Sequence, residues 1–185
     1  MGYELQIQTG MRMGEVLGLR WSDIDLDTKI ITIRQTLAKI DESGKYGLVT
    51  ETKTHSSFRQ IYLQVSLCQN LMNHRKVIEN ERKILNSKYM NNDLVVCTSS
   101  GNWVYPNNYR KGFKVTCEYL VLPKIRVHDL RHTHATFLIG GLQVNPKIVQ
   151  ERLGHANIKT TLGTYSHVLP SMQIEVAEKI DQAFK

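Results

Sequence analysis

Cysteine is scarce in this chain. Cys68, Cys97 and Cys117 are the three present, an odd number, and no two of them form a CxxC pair. That argues against a disulfide framework or a cysteine-based zinc site, and fits reduced thiols. No apolar run approaches the ~18 residues that a membrane-crossing helix needs. No leader pattern is evident, so the expectation is a cytoplasmic protein with no membrane partner. HExxH is absent, as is a carboxylate cluster able to seat two catalytic metals. Internal repeats, low-complexity tracts and linkers are lacking too.

What is present is a chain of 185 residues, 41% hydrophobic, enough for one globular domain with a substantial core. Lys and Arg number 24 against 17 Asp and Glu, a formal net charge of +7. Such a surplus suits a polyanionic partner, although charge speaks to association and not to fold.

Residues 3–20 carry a broken helical pattern, with Thr9-Gly10 as the turn between two short helices. Val16, Leu17 and Trp21 keep helical spacing, and Ser22-Asp-Ile-Asp25 ends the run. From Lys29 the period changes to two: Ile31, Ile33 and Gln35 alternate with Thr32 and Arg34, a strand signal. Asp41 to Lys45 reads as a turn, and 48–50 and 59–63 as two further strands. Between those two lies a polar tip, which puts Lys53 near the end of a hairpin. Helices are expected over 66–88, Pro106 to Leu120, His128 to Ile139 and from Asn145-Pro146 to Gly154. Asn145 caps the last of these and Gly154 closes it. Asn157 caps a short helix delivering Tyr165, and 171–184 form a final amphipathic helix. The fold class is therefore mainly α with a small antiparallel β-sheet, α+β.

Six dispersed residues read together as one site: Arg12, Lys53, His128, Arg131, His155 and Tyr165. Five can bear positive charge and the sixth is a phenol. That mixture suits holding a phosphodiester in a cationic cradle while a tyrosine oxygen attacks phosphorus. His128 and Arg131, spaced i, i+3, share one helix face. A guanidinium can grip two phosphate oxygens in a fork, and Arg12 can grip from the other side. The pentacoordinate phosphorane carries more charge than the ground state, so donors aimed at it stabilise the transition state by ~3 kcal/mol each. His128 and His155 can donate hydrogen bonds or shuttle the nucleophile's proton. A phenol with a pKa near ~10 needs its anion stabilised, which the cradle supplies. The leaving alkoxide needs a proton, and Lys53 can provide it. The phosphotyrosyl ester retains the bond energy, so neither metal nor other cofactor is called for.

Each residue has an ordinary alternative when taken singly. Arg12 and Lys53 are common surface charges, and Tyr165 is a common half-buried core aromatic. His128, His132 and His134 can be packed or solvent-facing, or a metal cluster, since His128 and His132 are i, i+4; Arg131 between them opposes a cation. Their joint occurrence, in this order, outweighs the single alternatives.

These residues resemble the tyrosine recombinases, the phage-integrase family. Thr9-Gly-Met-Arg12-Met-Gly-Glu15 is similar to the family's first-arginine motif, and Glu51-Thr-Lys53-Thr with Arg59-Gln-Ile-Tyr-Leu63 to its lysine motif. His128-Asp-Leu-Arg131-His, Leu153-Gly-His155 and Thr164-Tyr165-Ser-His complete the series. The phrasing is closest to integrases of Gram-positive phages and conjugative transposons. The resemblance implies a mainly helical catalytic domain with a small antiparallel sheet. It also implies roles: Arg12, Arg131, His128 and His155 activate the scissile phosphate, Tyr165 forms a 3′-phosphotyrosine and Lys53 protonates the 5′-oxygen. The implied partner is double-stranded DNA at attachment sites, with strand exchange in a tetramer. The chain opens almost at the first-arginine motif. The expectation is thus a single catalytic domain, 1–185, without the family's arm-binding and core-binding domains, natural or engineered. Alone it is expected to be a monomer that binds DNA weakly, with little sequence specificity and strong salt sensitivity. The tail, 171–185, in the family packs on a neighbouring protomer. Three other readings stand beside this one: a type IB topoisomerase, a non-catalytic DNA-binding fragment, and a metal-dependent histidine enzyme.

Overall fold

The protein is described here by a computed structural model covering residues 1–50, 58–158, 177–178 and 180–184. Lys53 and Tyr165 lie outside the described residues, as does the helix expected to deliver Tyr165 beyond Ile158.

The chain begins with two short helices, α1 (Gly2–Thr9) and α2 (Met13–Gly18), separated by the predicted turn. Gly10 caps α1 in the left-handed region, at φ 71°, and its N–H donates to Gln6 O. A Cβ there would also stand 2.6 Å from Leu153 and 2.7 Å from His134, so the turn accepts no side chain. Arg12 is the N-cap of α2, and the Glu15 carboxylate receives its backbone N–H at 2.7 Å, the reciprocal half of a capping box.

Five strands follow: β1 (Ile24–Asp25), β2 (Ile30–Ile33), β3 (Gln35–Lys39), β4 (Tyr46–Thr50) and β5 (Arg59–Tyr62). They form two antiparallel sheets where the sequence suggested one, ordered β1-β2-β5 and β3-β4. The alternating run from Ile31 to Gln35 breaks at Arg34, sending β2 to one sheet and β3 to the other. Ile31 pairs with Ile61 and Ile33 with Arg59, whereas Leu37 pairs with Leu48. Thus β4 and β5 are not partners, and the expected hairpin tip with Lys53 lies outside the described residues. Alternation reports which face a residue takes, not which strand it will meet.

Helices make up most of the remainder: α3 (Val65–Leu85), α4 (Pro106–Tyr119), α5 (Val127–Thr136) and α6 (Pro146–Leu153). Proline opens α4 and α6, where its missing N–H costs nothing. The expected helix from His128 to Ile139 changes character at Phe137, and 137–141 continue as one wide turn closed by Leu142 N–H to Phe137 O at 2.9 Å. Bare Gly141 lets the Phe137 ring lie against it, which accommodates the widening. Ala177, Glu178 and 180–183 are helical, and residues 171–176 and 179 of the expected tail helix lie outside the described residues.

The core has two main parts. One joins α1 and α2 to the three-stranded sheet and α3 through Leu5, Val16, Ile31, Ile61, Leu67 and Leu71. The other joins α2 and β3 to α4 and α5 through Leu17, Leu37, Tyr109, Phe113, Val127 and Leu130. A satellite cluster, Ala135, Ile139, Val149 and Leu153, seats α6 on α5. Full burial of one such aliphatic side chain stabilises by ~2 kcal/mol. Among the described residues, no helix is long and apolar enough to cross a membrane.

Candidate active site

The C-terminal turn of α6 is where the predicted cations meet. Asn145 caps this helix by accepting Lys147 N–H at 2.8 Å, and Gly154 ends it in the left-handed region, as the sequence suggested. A helix end leaves its last carbonyls without intrahelical partners and with partial negative charge. Here three successive carbonyls each take a different arginine. Arg59 Nε donates to Arg152 O at 2.8 Å, Arg131 Nη2 to Leu153 O at 2.8 Å, and Arg12 Nη2 to Gly154 O at 2.7 Å. Arg131 Nη1 donates to Gly10 O at 2.6 Å as well, so α5, the α1–α2 turn and α6 share one guanidinium. His155 follows directly, which places it beside Arg12 and Arg131.

Arg131 is buried at 3% exposure, while the Arg12 side chain remains 40% exposed. Arg12 is therefore the guanidinium that a ligand arriving from solvent can reach. Beside it a cleft of about 400 Å³ is lined by Arg59, Gln150, Gly154 and His155, with Phe58, Glu151 and Ala156.

The two predicted histidines are not cations in this state at neutral pH. Burial, with the charges of Arg131, Arg12 and Arg59, pulls His155 down to about 4. Burial and neighbouring His132 and Arg131 also lower His128, which is exposed on α5 with its ring edge-on to His132 at 4.6 Å. Both can act as neutral hydrogen-bond donors or proton acceptors, and an arriving phosphate would raise them by adding a negative charge.

Sequence reasoning missed the supporting layer. Glu15 is wholly buried, and its two oxygens take four donors: Arg12 Nη1 at 2.8 Å, Arg12 N at 2.7 Å, and Arg59 Nη1 and Nη2 at 2.9 and 2.8 Å. Burial alone would raise this carboxyl, but the Arg59 hydrogen bonds and the charges of Arg59 and Arg12 hold it below the ordinary range. Arg152 spans the reverse direction, donating to Tyr62 O at 3.2 Å, Gln8 O at 3.4 Å and His134 Nε2 at 3.1 Å. That ring nitrogen must accept, so Nδ1 carries the proton and donates to Ile7 O at 2.9 Å. His134 is thus a structural bridge with both nitrogens engaged. The available signal was the inward register of Arg59, which shares its strand face with Ile61: a charge pointing into a core needs a partner.

Of the six predicted residues, then, Arg12, Arg131 and His155 converge, His128 lies one turn from Arg131, and Lys53 and Tyr165 fall outside the described residues. The chain's likeness to known proteins is extensive. The family model described as "Phage integrase family" matches residues 2–172. A relative named tyrosine recombinase XerC-like from Caldanaerobacter subterraneus subsp. tengcongensis is 34% identical, over 97% of this chain and 48% of its own length. The ICEBs1 integrase of Bacillus subtilis is 32% identical, over 97% of this chain and 47% of its own. The chain thus spans about half the length of the curated relatives it matches. Its fold is that of the Tn1549 transposon integrase solved in complex with circular intermediate DNA, with a TM-score of 0.73 at 23% identity over 88% of this chain and 53% of that one. With a family match along nearly its whole length and the arginine–histidine cradle in place, this chain belongs to the phage integrase family.

Proposed function

We propose that this chain is the catalytic domain of a site-specific DNA recombinase that cuts and rejoins strands at attachment sites for integration or excision of a mobile element. The observation that carries the reading is the convergence of Arg12, Arg131 and His155 on one helix terminus, a preorganised anion cradle with one guanidinium open to solvent. In this mechanism the Tyr165 oxygen attacks the scissile phosphorus while the open Arg12 guanidinium grips the phosphorane's equatorial oxygens and the charge of buried Arg131 behind it adds to their stabilisation. Neutral His155 and His128 donate to the phosphate or accept the phenol proton. The bond to the 5′-oxygen breaks, Lys53 supplies that oxygen's proton, and a 3′-phosphotyrosine remains. Attack by a partner strand's 5′-hydroxyl reverses the step. No metal or cofactor enters this scheme, and the donor set of arginines and histidines stabilises the charge instead. The ligand is double-stranded DNA, with exchange completed in a tetramer. DNA in the Tn1549 integrase complex and the relatives' names support the substrate class.

The test is covalent capture on a nicked duplex whose cleaved end is lost by diffusion. Incubation with EDTA, then denaturing electrophoresis, is expected to show an adduct with this chain and none with Tyr165→Phe. Adduct from the variant, or adduct abolished by EDTA, would contradict the proposal.

A further inference from the structure

Arg59 sits at the first position of β5, with its side chain 7% exposed, so it cannot itself contact a duplex. It nonetheless makes three charge-assisted hydrogen bonds inside the site, two to Glu15 and one to Arg152 O. We propose that Arg59 is a positioning residue for the phosphate cradle: its fork on Glu15 sets the guanidinium of Arg12, and its bond to Arg152 O sets the α6 terminus that carries His155. This rests on the phosphoryl-transfer reading above.

Two oxygens of a carboxylate offer about four lone-pair positions, and all four here are used, two by Arg12 and two by Arg59. The plane of Glu15 is therefore fixed by Arg59's planar fork, and the direction of Arg12 follows from that plane. An ammonium cannot reproduce this, because it is a point donor without a plane. The second bond works on the other wall. Arg59 reaches from β5 to Arg152 O on α6, while Arg152 reaches from α6 back to Tyr62 O on β5, a reciprocal brace. The same α6 terminus gives Leu153 O to Arg131 and Gly154 O to Arg12. Three arginines would repel one another. The buried Glu15 charge and the negative end of α6 hold them within one turn.

The decisive experiment compares wild type, Arg59→Lys, Arg12→Lys and the double variant, with thermal melting as a check on folding. Arg59→Lys keeps the charge beside Glu15 and is expected to fold. Adduct formation on the nicked duplex should slow by about 100-fold in Arg59→Lys, the cost of a small misplacement, with duplex affinity changed far less. Because Arg59 acts through Arg12, the double variant should be little slower than Arg12→Lys alone. Effects that multiply, or a loss of affinity equal to the loss of rate, would overturn the proposal. A second readout needs no cleavage: in Arg59→Lys the ¹⁵N-labelled Arg12 Nη–H signals, bonded to Glu15 and to Gly154 O, should shift and exchange faster with solvent. An unchanged signal would also overturn it. Should wild type form no adduct, the phosphoryl-transfer reading fails, while this signal still decides whether Arg59 positions Arg12.

Discussion

At the scale of single residues, Glu15 is the point at which stability and function meet, because it takes four donors while wholly buried. Glu15→Gln leaves two guanidiniums facing a neutral amide, one of them buried, and should cost ~3 kcal/mol in a urea melt. Glu15 and His134 contribute to the pH response with the same sign, as do His155 and His128. The Glu15 carboxyl is held below 4.5, so its stabilisation is present above that value and is lost as pH falls through its folded value. Burial, then the charge of Arg152, pulls His134 from 6.5 to about 4, so between those values the unfolded chain binds a proton that the native state refuses. Stability should therefore fall as pH drops from 6.5 towards 4, with His134 contributing on the order of 3 kcal/mol. His134→Gln should flatten that slope in melts followed across the range, and an unaltered slope would count against this account. Arg12, Arg131, His128 and His155 were legible because each sits in a short motif of unusual residue types. The supporting roles of Arg59, present in the lysine motif, and of Arg152 were not, since an arginine in a strand or an amphipathic helix does not reveal a partner distant in sequence.

Elements were legible wherever their ends carry chemistry. Asn145-Pro146 and Gly154 bracket α6, and Pro106 opens α4, as expected from capping. Strand partners were not, because β3 and β4, and β2 and β5, choose one another through packing against different helices. The far end of α4 shows a cap that departs from rule. Leu122 N–H bonds Cys117 O at 2.9 Å and Val121 N–H bonds Glu118 O at 3.2 Å, the pattern of a Schellman motif. The left-handed position is filled by Val121 at φ 53°, exposed to solvent and β-branched. Val121→Gly should raise stability by ~1 kcal/mol, read as an upward shift in the melting midpoint; a lower midpoint would refute the strain. The opposite holds for Gly18, where a Cβ would stand 2.9 Å from Leu37 N and 3.1 Å from Thr36 C. Gly18→Ala should push α2 off β3 and cost ~2 kcal/mol, because neither contact is with a flexible side-chain end.

On the scale of the whole molecule, the +7 charge and the open guanidinium of Arg12 predict the form of DNA binding. Affinity should fall linearly in log–log form with salt, and Arg12→Ala should reduce that slope by about 1. A slope indifferent to salt would exclude a phosphate-dominated interface. One bond defines the proposed chemistry, between Tyr165 and a DNA 3′-phosphate. Trapped adduct would be digested with trypsin and nuclease, and the nucleotide-bearing peptide sequenced by mass spectrometry. The account predicts one modified residue, Tyr165, carrying the remnant through a 3′-phosphate; a remnant on any other residue, or joined through a 5′-phosphate, would contradict it.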